Sequence, residues 1–439
     1  MCPFLHFDNS RSRTYEHYIS IGSWNVKSVL DFLDVDSSHK FCLDQVTLLE
    51  GFKKLFPNYW DILHQRVLEG RVEIVGGTYV MPDFVLPDGE SIVRQYLYGT
   101  QFFRRELGID VRTGWAIDSA GHPSQMPQIL RLCGMDSYYF WRGMAYDSPS
   151  EFIWKAPDGS QVLASWLSQG YDCAAWLSEN QRDAFTRILK IIDAMSSHAV
   201  SNNLLIPTGG ELVPPLPHLA DIANKWNSTF PDIRMAIVTP REFSDKTKTV
   251  QARMPVIEGG LYSDRFASMH HGGLSARTKL KILNRRLETL VHLIELYMSF
   301  GDEREKIPQV ENLWRILLFN QDHNIIRGAL ADEPFKLAIK RYQQALAQGE
   351  QLLEETVARV VSQVARPTGN VSFVVTNPLP WSRDDFVQIE VDIANRISGA
   401  FEVRGPDGRS VPYQVLNKSE DSTLVNLAFV ASGMPPLSH

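Results

Sequence analysis

The sequence predicts an α/β fold: an irregular (β/α) barrel, then a three-helix bundle, then the start of a β-sandwich domain. Three features predict it. Short apolar runs alternate with amphipathic stretches up to about residue 255, helical periodicity takes over from Arg277, and period-two alternation begins after Pro367. The domains this implies are a barrel-like domain at 1–255, a three-helix middle domain at 256–366 and a partial β-sandwich at 367–439.

In the first part, Phe4-Leu5, Val72–Val75, Trp115–Ile117, Val162–Trp166, Leu204–Ile206 and Ala236–Val238 read as short buried strands, each followed by a polar or Gly/Pro-bearing turn. Helical spacing lies between them, as in Leu49, Phe52, Leu55 and then Trp60, Leu63, Val67 on either side of Pro57. Folds of this type carry their chemistry where strands end and loops begin. In the second part, Leu280, Leu283, Leu287, Leu290 and Ile294 mark one helix, Val310 to Leu318 a second, and Pro334 to Val361 a third. After the turn at Pro367-Thr368-Gly369, Val371–Thr376 and Val387–Asp392 read as strands.

Composition narrows the function classes. The 439 residues hold 44 basic and 51 acidic side chains for a net charge of −7, without the clustered Lys and Arg of a nucleic-acid surface. The four cysteines, Cys2, Cys42, Cys133 and Cys173, form no CxxC pair, so neither a disulfide framework nor a thiolate zinc site is signalled. No apolar run reaches membrane-span length. The opening Met-Cys-Pro-Phe-Leu-His has no basic and apolar leader pattern, which makes a cytoplasmic location the expectation.

Several strand ends carry chemistry-bearing residues. His6 and Asp8 share one face of an extended segment, which suits a divalent metal, although a surface-turn pair has the same spacing. Asp118 follows an apolar strand into Ser-Ala-Gly, where a carboxylate is a candidate nucleophile or ligand, or else the cap of the helix through Met126. Glu211 follows Leu204–Ile206 and Gly209-Gly210; together with Asp118 it would make the carboxylate pair that glycoside hydrolysis needs, and otherwise it is a solvated loop acid. His323 sits just beyond the second bundle helix in Asn320-Gln-Asp-His-Asn324, a place where a structural histidine is also at home. Arg142 after Phe140-Trp141, and Tyr171-Asp172 after Gly170, combine stacking surfaces with polar groups of the kind that hold sugars. His270-His271 can offer at most one ligand to a single site, because adjacent extended residues face opposite ways.

Taken in order, these stretches resemble the glycoside hydrolase family 38 α-mannosidases across nearly the whole chain. The residues that carry the resemblance are His6-Phe-Asp8-Asn-Ser, Glu69 to Gly77, Asp83 with Pro87 to Gln95, Trp115-Ala-Ile-Asp118-Ser-Ala-Gly-His122, Phe140-Trp-Arg142, Gly259 to Tyr262, Asn320-Gln-Asp-His323 with Gly328, and Asn377-Pro-Leu-Pro-Trp381. The resemblance implies a zinc ion held by His6, Asp8, Asp118 and His323. It implies Asp118 as nucleophile of a retaining mechanism and Glu211 as general acid/base. Arg142, Tyr171, Asp172 and Asn324 would line the sugar subsite. The implied partner is an α-mannoside or mannose-containing oligosaccharide, with no nucleic acid and no membrane; homo-oligomerisation is left open.

The chain departs from the family pattern in four places. Arg11 stands where the family usually has Trp, Glu211 where it usually has Asp, and Asn324 where it usually has Asp. Family members also commonly continue into further β domains, so the resemblance implies a C-terminally truncated member. Two other readings follow: a mannose-glycan-binding homologue impaired in catalysis, and a metal-dependent carbohydrate deacetylase, which the surroundings of Asp118 and Trp115 do not support.

Overall fold

The structure, a computed structural model, describes residues 1–301, 303–364, 371–392, 401–418 and 424–438. The described residues form two compact units: Met1–Glu288 with Glu311–Ala347, and Thr289–Val310 with Gln348–His439.

The first unit is a mixed α/β assembly. Its strands are β1 (Leu5–His6), β2 (Phe41–Leu43), β3 (Val72–Ile74), β4 (Thr113–Ala116), β5 (Ser137–Phe140), β6 (Glu151–Lys155), β7 (Gln161–Trp166), β8 (Gly210–Glu211) and β9 (Val256–Glu258). β1 pairs with β8, β2 with β3, and β4 with β5 and then β7, all in parallel. Single contacts join these groups: a bridge between Phe4 and Cys42, and a bond from Gly76 N to Thr113 O. Within β8-β1-β2-β3 and within β4-β5-β7 the neighbours therefore run parallel, while β6 turns back antiparallel against β7 and β9 runs parallel to β6. β4 and β5 are buried at every residue, as strands covered on both faces must be.

Helices supply the cover. They are α1 (Tyr15–Val35), α2 (Val46–Leu55), α3 (Trp60–Leu68), α4 (Gly89–Leu107), α5 (Met126–Leu132), α6 (Gln181–Ser196), α7 (Leu219–Thr229) and α8 (Pro240–Thr247). α1 buries Tyr18, Ile19, Val26, Val29, Leu30 and Leu33, a stripe with the three-and-four spacing of one helix face. α4 starts where the Asp88 carboxylate accepts from Ser91 N and stops at Gly108, which takes the left-handed conformation that a Cβ disfavours. A short turn, α9 (Gly272–Ser275), precedes the helices of the middle stretch: α10 (Thr278–Gly301), α11 (Ile307–Asn320), α12 (His323–Arg327) and α13 (Asp332–Ser362). The three long helices lie where their periodicity predicts them.

In the second unit β10 (Arg383–Asp392), β12 (Leu424–Met434) and β11 (Tyr413–Lys418) form an antiparallel sheet in the order β10-β12-β11. Ile389 and Val391 alternate with polar neighbours and pack with Val403, Val425 and Leu427.

Three predicted strands are absent as ladders. Leu204–Ile206 is extended, yet it exchanges only isolated bonds with Met1–Pro3, because Pro3 and Pro207 lack the N–H groups a ladder needs. Ala236–Val238 is likewise held at single points, by bonds from the Met1 ammonium to Ala236 O and from Val238 N to Met1 O. Val371–Thr376 joins no ladder, and backbone pairing begins only at Asn377 with Ser438. The predicted turn at Pro367-Thr368-Gly369 lies outside the described residues. No helix among the described residues is long and apolar enough to cross a membrane.

One close approach fixes the β1/β8 register. A Cβ added at Gly209 would lie 1.9 Å from the carbonyl oxygen of Phe4, so only glycine lets the strands meet. Gly209→Ala should therefore force the strands apart and destabilise the fold by about 2 kcal/mol or more. Chemical denaturation would show this as a lower unfolding midpoint, whereas Gly134→Ala, with open space around it but a positive φ of 85°, reports the cost of backbone strain alone.

Candidate metal and catalytic centre

The β1/β8 pair puts two predicted groups on neighbouring strands, with His6 directly opposite Glu211. Asp8 follows β1 by two residues, and Asp118 follows β4 by two. His323 arrives from the far end of the sequence as the first residue of α12. Its helix starts because the Asp322 side chain accepts from Asn324 N and Ile325 N, and it ends at left-handed Gly328.

These groups converge. His6 Nε2 lies 3.1 Å from Asp8 Oδ1 and 3.8 Å from Asp118 Oδ2. His323 Nε2 lies 3.3 Å from Asp8 Oδ1 and 3.5 Å from Asp118 Oδ2. His6, Asp8 and His323 are all buried, and one ligand atom from each falls within 4.8 Å of the others. Yet both ring nitrogens of His6 and both oxygens of Asp8 have no hydrogen-bond partner among the described residues.

Buried polar atoms without partners cost about 1–3 kcal/mol each, and more for charged groups, unless something else satisfies them. A cation does so. Ligands bound tetrahedrally at about 2.0–2.1 Å stand roughly 3.3 Å from one another, and the four ligand-to-ligand distances here scatter around that value. Electrostatics argues the same way. Burial works against charge on both imidazoles, but the surrounding carboxylates outweigh it and raise the pKa of His6 and of His323. Burial also opposes ionisation of Asp8 and Asp118, yet the histidines hold Asp8 far below the usual carboxylate range and, with Arg142, hold Asp118 down to about 2. The centre is built to surround positive charge.

The remaining predicted residues take distinct places. Arg142 donates from Nε and Nη2 to Asp118 Oδ1 at 3.1 and 2.8 Å, which leaves Oδ2 facing the histidines. Tyr171 is buried with its ring 5.1 Å from that of His6. Asn324 Nδ2 lies 3.0 Å from His323 Nε2. Asp172 is exposed beside Gly170 and bonds to none of these side chains among the described residues. Glu211 is half-buried; Arg11 Nη1 donates to its Oε2 at 3.0 Å and the Tyr18 hydroxyl to its Oε1 at 3.3 Å. Burial and the nearby Asp8 raise its pKa, against Arg11 and His6. Asp118 does not cap α5, whose N-cap is Gln125. His271 stays outside the cluster in an exposed pair with Asp264.

Sequence reasoning missed the residues that hold this centre in place. Gln45, with the left-handed φ of 64° unusual for its type, donates to Phe7 O between the two β1 ligands at 2.7 Å. Its Oε1 accepts from Asn9 Nδ2 at 3.1 Å and from Met81 N at 2.9 Å. Asn9 also reaches Asp322 Oδ2 at 3.1 Å, and Met81 O accepts from both His323 N and, at 3.0 Å, His323 Nδ1. The Nδ1–H tautomer that this bond selects turns the Nε2 lone pair towards Asp8 and Asp118. Asp83 and Arg327, the last residue of α12, form a second buried pair, with Arg327 also donating to Ala120 O. A polar pair, Asp44-Gln45, directly after a fully buried strand was the available signal.

Comparison with known proteins now has a geometry to explain. Residues 1–260 match the glycosyl hydrolases family 38 N-terminal domain, and residues 268–360 match the alpha mannosidase middle domain. The chain belongs to glycosyl hydrolase family 38. Similar proteins include alpha-mannosidase 2C1 of Homo sapiens, 25% identical over 81% of this chain and 34% of the relative, and an alpha-mannosidase of Saccharomyces cerevisiae, 24% identical over 85% and 35%. A putative mannosylglycerate hydrolase of Halalkalibacterium halodurans is 25% identical over 73% of this chain and 38% of that protein. The chain spans about a third of the length of the curated relatives it matches. The crystal structure of an alpha-mannosidase from Enterococcus faecalis V583 superposes with a TM-score of 0.89 at 20% identity, covering 99% of this chain and 55% of that one, which places this chain in the same fold.

If Gln45 orients the ligand loops, Gln45→Ala should lower stability by about 1–3 kcal/mol by orphaning Phe7 O, Met81 N and Asn9. It should also weaken zinc binding measured by calorimetric titration. Chelation of the wild-type chain should lower its melting temperature, and added zinc should restore it.

Proposed function

We propose that this family 38 chain carries the catalytic centre of a zinc-dependent retaining α-mannosidase. The single observation behind this reading is the buried convergence of His6, Asp8, Asp118 and His323, with Arg142 forked onto one oxygen of Asp118. Catalysis is assigned to the stretch 1–255, completed by His323 from 256–366. Zinc bound by those four residues would supply Lewis-acid polarisation of sugar hydroxyls.

The chain's own groups account for the bond-making. Asp118, ionised and oriented by Arg142, attacks the anomeric carbon and forms a mannosyl ester, while Glu211 gives its proton to the departing oxygen. Glu211 then takes a proton from water, which cleaves the ester and returns the sugar with its original anomeric configuration. Burial of Glu211 favours the protonated form it needs at the start. Tyr171 adds an apolar ring and a hydroxyl beside His6.

The Arg11 contact with Glu211 gives weight to a second reading, that of a mannose-binding homologue whose acid is held ionised. Turnover separates the two. The catalytic reading expects hydrolysis of 4-nitrophenyl α-mannoside with retention in the first-formed sugar by NMR, and a loss of about a thousandfold or more in Asp118→Ala. Calorimetric mannoside binding with no turnover would favour the binding homologue.

The pH profile offers a separate check. Because Glu211 must start protonated and its pKa is raised, kcat/KM should be intact on the acid side and fall as pH rises through a value above the ordinary glutamate range. With a 2,4-dinitrophenyl leaving group, which needs little proton help, Glu211→Gln should retain activity and lose that alkaline limb.

A further inference from the structure

The proposed nucleophile is oriented by Arg142, yet the backbone that carries Arg142 has already left its sheet. The β5 ladder ends at Phe140 opposite Trp166. At Gly143 the chain turns with a φ of 109°, where a Cβ would lie 2.6 Å from Leu261 O. Between these points two side chains stand in for the ladder: Trp166 Nε1 donates to Trp141 O at 2.7 Å, and His122 Nε2 meets Arg142 O at 3.1 Å. The guanidinium end of Arg142 is held by Asp118, by Ser268 O and over the Trp141 ring, and the backbone end by His122.

The bond from His122 runs one way only. A carbonyl oxygen accepts, so Nε2 carries the proton. His122 is fully buried among Phe84, Tyr138, Phe140 and Trp154, and burial pushes its pKa down to about 3, which keeps the ring neutral near pH 7. A neutral ring with Nε2–H has its lone pair on Nδ1, and the Tyr138 hydroxyl donates to it at 2.7 Å. Tyr138 thereby locks the tautomer that Arg142 O requires.

His122 follows Asp118 in the same loop, and backbone bonds in both directions fasten it to Leu261, while Ser263 N donates to Gly143 O at 3.0 Å. The connection closes on itself. The loop that delivers Asp118 holds the backbone of Arg142, and the Arg142 side chain returns to Asp118 Oδ1, leaving Oδ2 turned to His6 and His323. We propose that His122 is a positioning residue for the nucleophile, acting through Arg142, with Tyr138 as the group that fixes its tautomer. The inference rests on the α-mannosidase reading and adds two residues to its machinery.

The test is a double-mutant cycle read on 2,4-dinitrophenyl α-mannoside. His122→Phe keeps an aromatic ring and removes its donor; kcat should fall about tenfold or more with KM little changed, the scale of loss that a misplaced reacting group brings. His122→Gln, whose amide can donate to Arg142 O and accept from Tyr138, should recover most of that loss. In an Arg142→Met background His122→Phe should cost less than about twofold, because a residue acting through Arg142 has nothing left to act on. Should His122→Phe fail to fold, Tyr138→Phe takes its place in the cycle, with a smaller loss beside wild-type Arg142 and none in Arg142→Met. An unchanged kcat, or the same loss in both backgrounds, overturns the proposal, since a purely structural residue would weaken both alike. If the wild type turns over no α-mannoside, the α-mannosidase reading fails instead, and a crystal structure of the folded variant decides the positioning. Arg142 drawn away from Asp118 supports it, and an intact fork overturns it.

Discussion

Everything in the first unit is arranged around one electrostatic demand: two imidazoles and two carboxylates are buried within contact distance, and too few hydrogen bonds are made to them. Removing charges from water costs several kcal/mol apiece unless the site returns it. Among the described residues the side chains of His6 and Asp8 obtain no hydrogen-bond return. A bound cation is one solution; the raised histidine and lowered carboxylate pKa values reflect the mutual attraction of these groups, whose carboxylates favour positive charge at the centre.

The rest of the fold holds three elements still around that demand. The four groups come from β1 and the residues after it, from the turn after β4 and from α12, elements more than 100 residues apart in sequence, so no local propensity can align them. Gln45 does it with one side chain, bridging Phe7, Asn9 and Met81, while Asn9 passes the link to Asp322 and Met81 passes it to His323. Arg327 ties α12 to Asp83 and to the turn that carries Asp118. On the other side of β1, Gly209 lets β8 close in so that Glu211 stands opposite His6.

Much of this was legible in the sequence, for reasons that differ by feature. The helices at Thr278–Gly301, Ile307–Asn320 and Asp332–Ser362 announce themselves because each buries a continuous apolar stripe. Strands did less well: Leu204–Ile206 and Ala236–Val238 are as apolar as true strands, but ladders depend on partners, and neighbouring prolines and the chain's first residues decided the pairing. Metal-ligating residue types are few, so His6, Asp8, Asp118 and His323 stood out once their order matched a family. Gln45 and Asn9 did not, because a glutamine that braces ligands is indistinguishable from any other until its partners are in place. The Arg11–Glu211 contact was hidden for the same reason: the two departures from the family pattern lie 200 positions apart, and only the β1/β8 pairing brings them together as one ion pair.

The most direct measurement is anomalous diffraction at the zinc absorption edge from crystals of the chain grown with zinc. The account predicts one strong peak enclosed by His6 Nε2, His323 Nε2 and carboxylate oxygens of Asp8 and Asp118. Zinc-saturated crystals with no peak there, or with the metal bound elsewhere and these four side chains unligated, would contradict it.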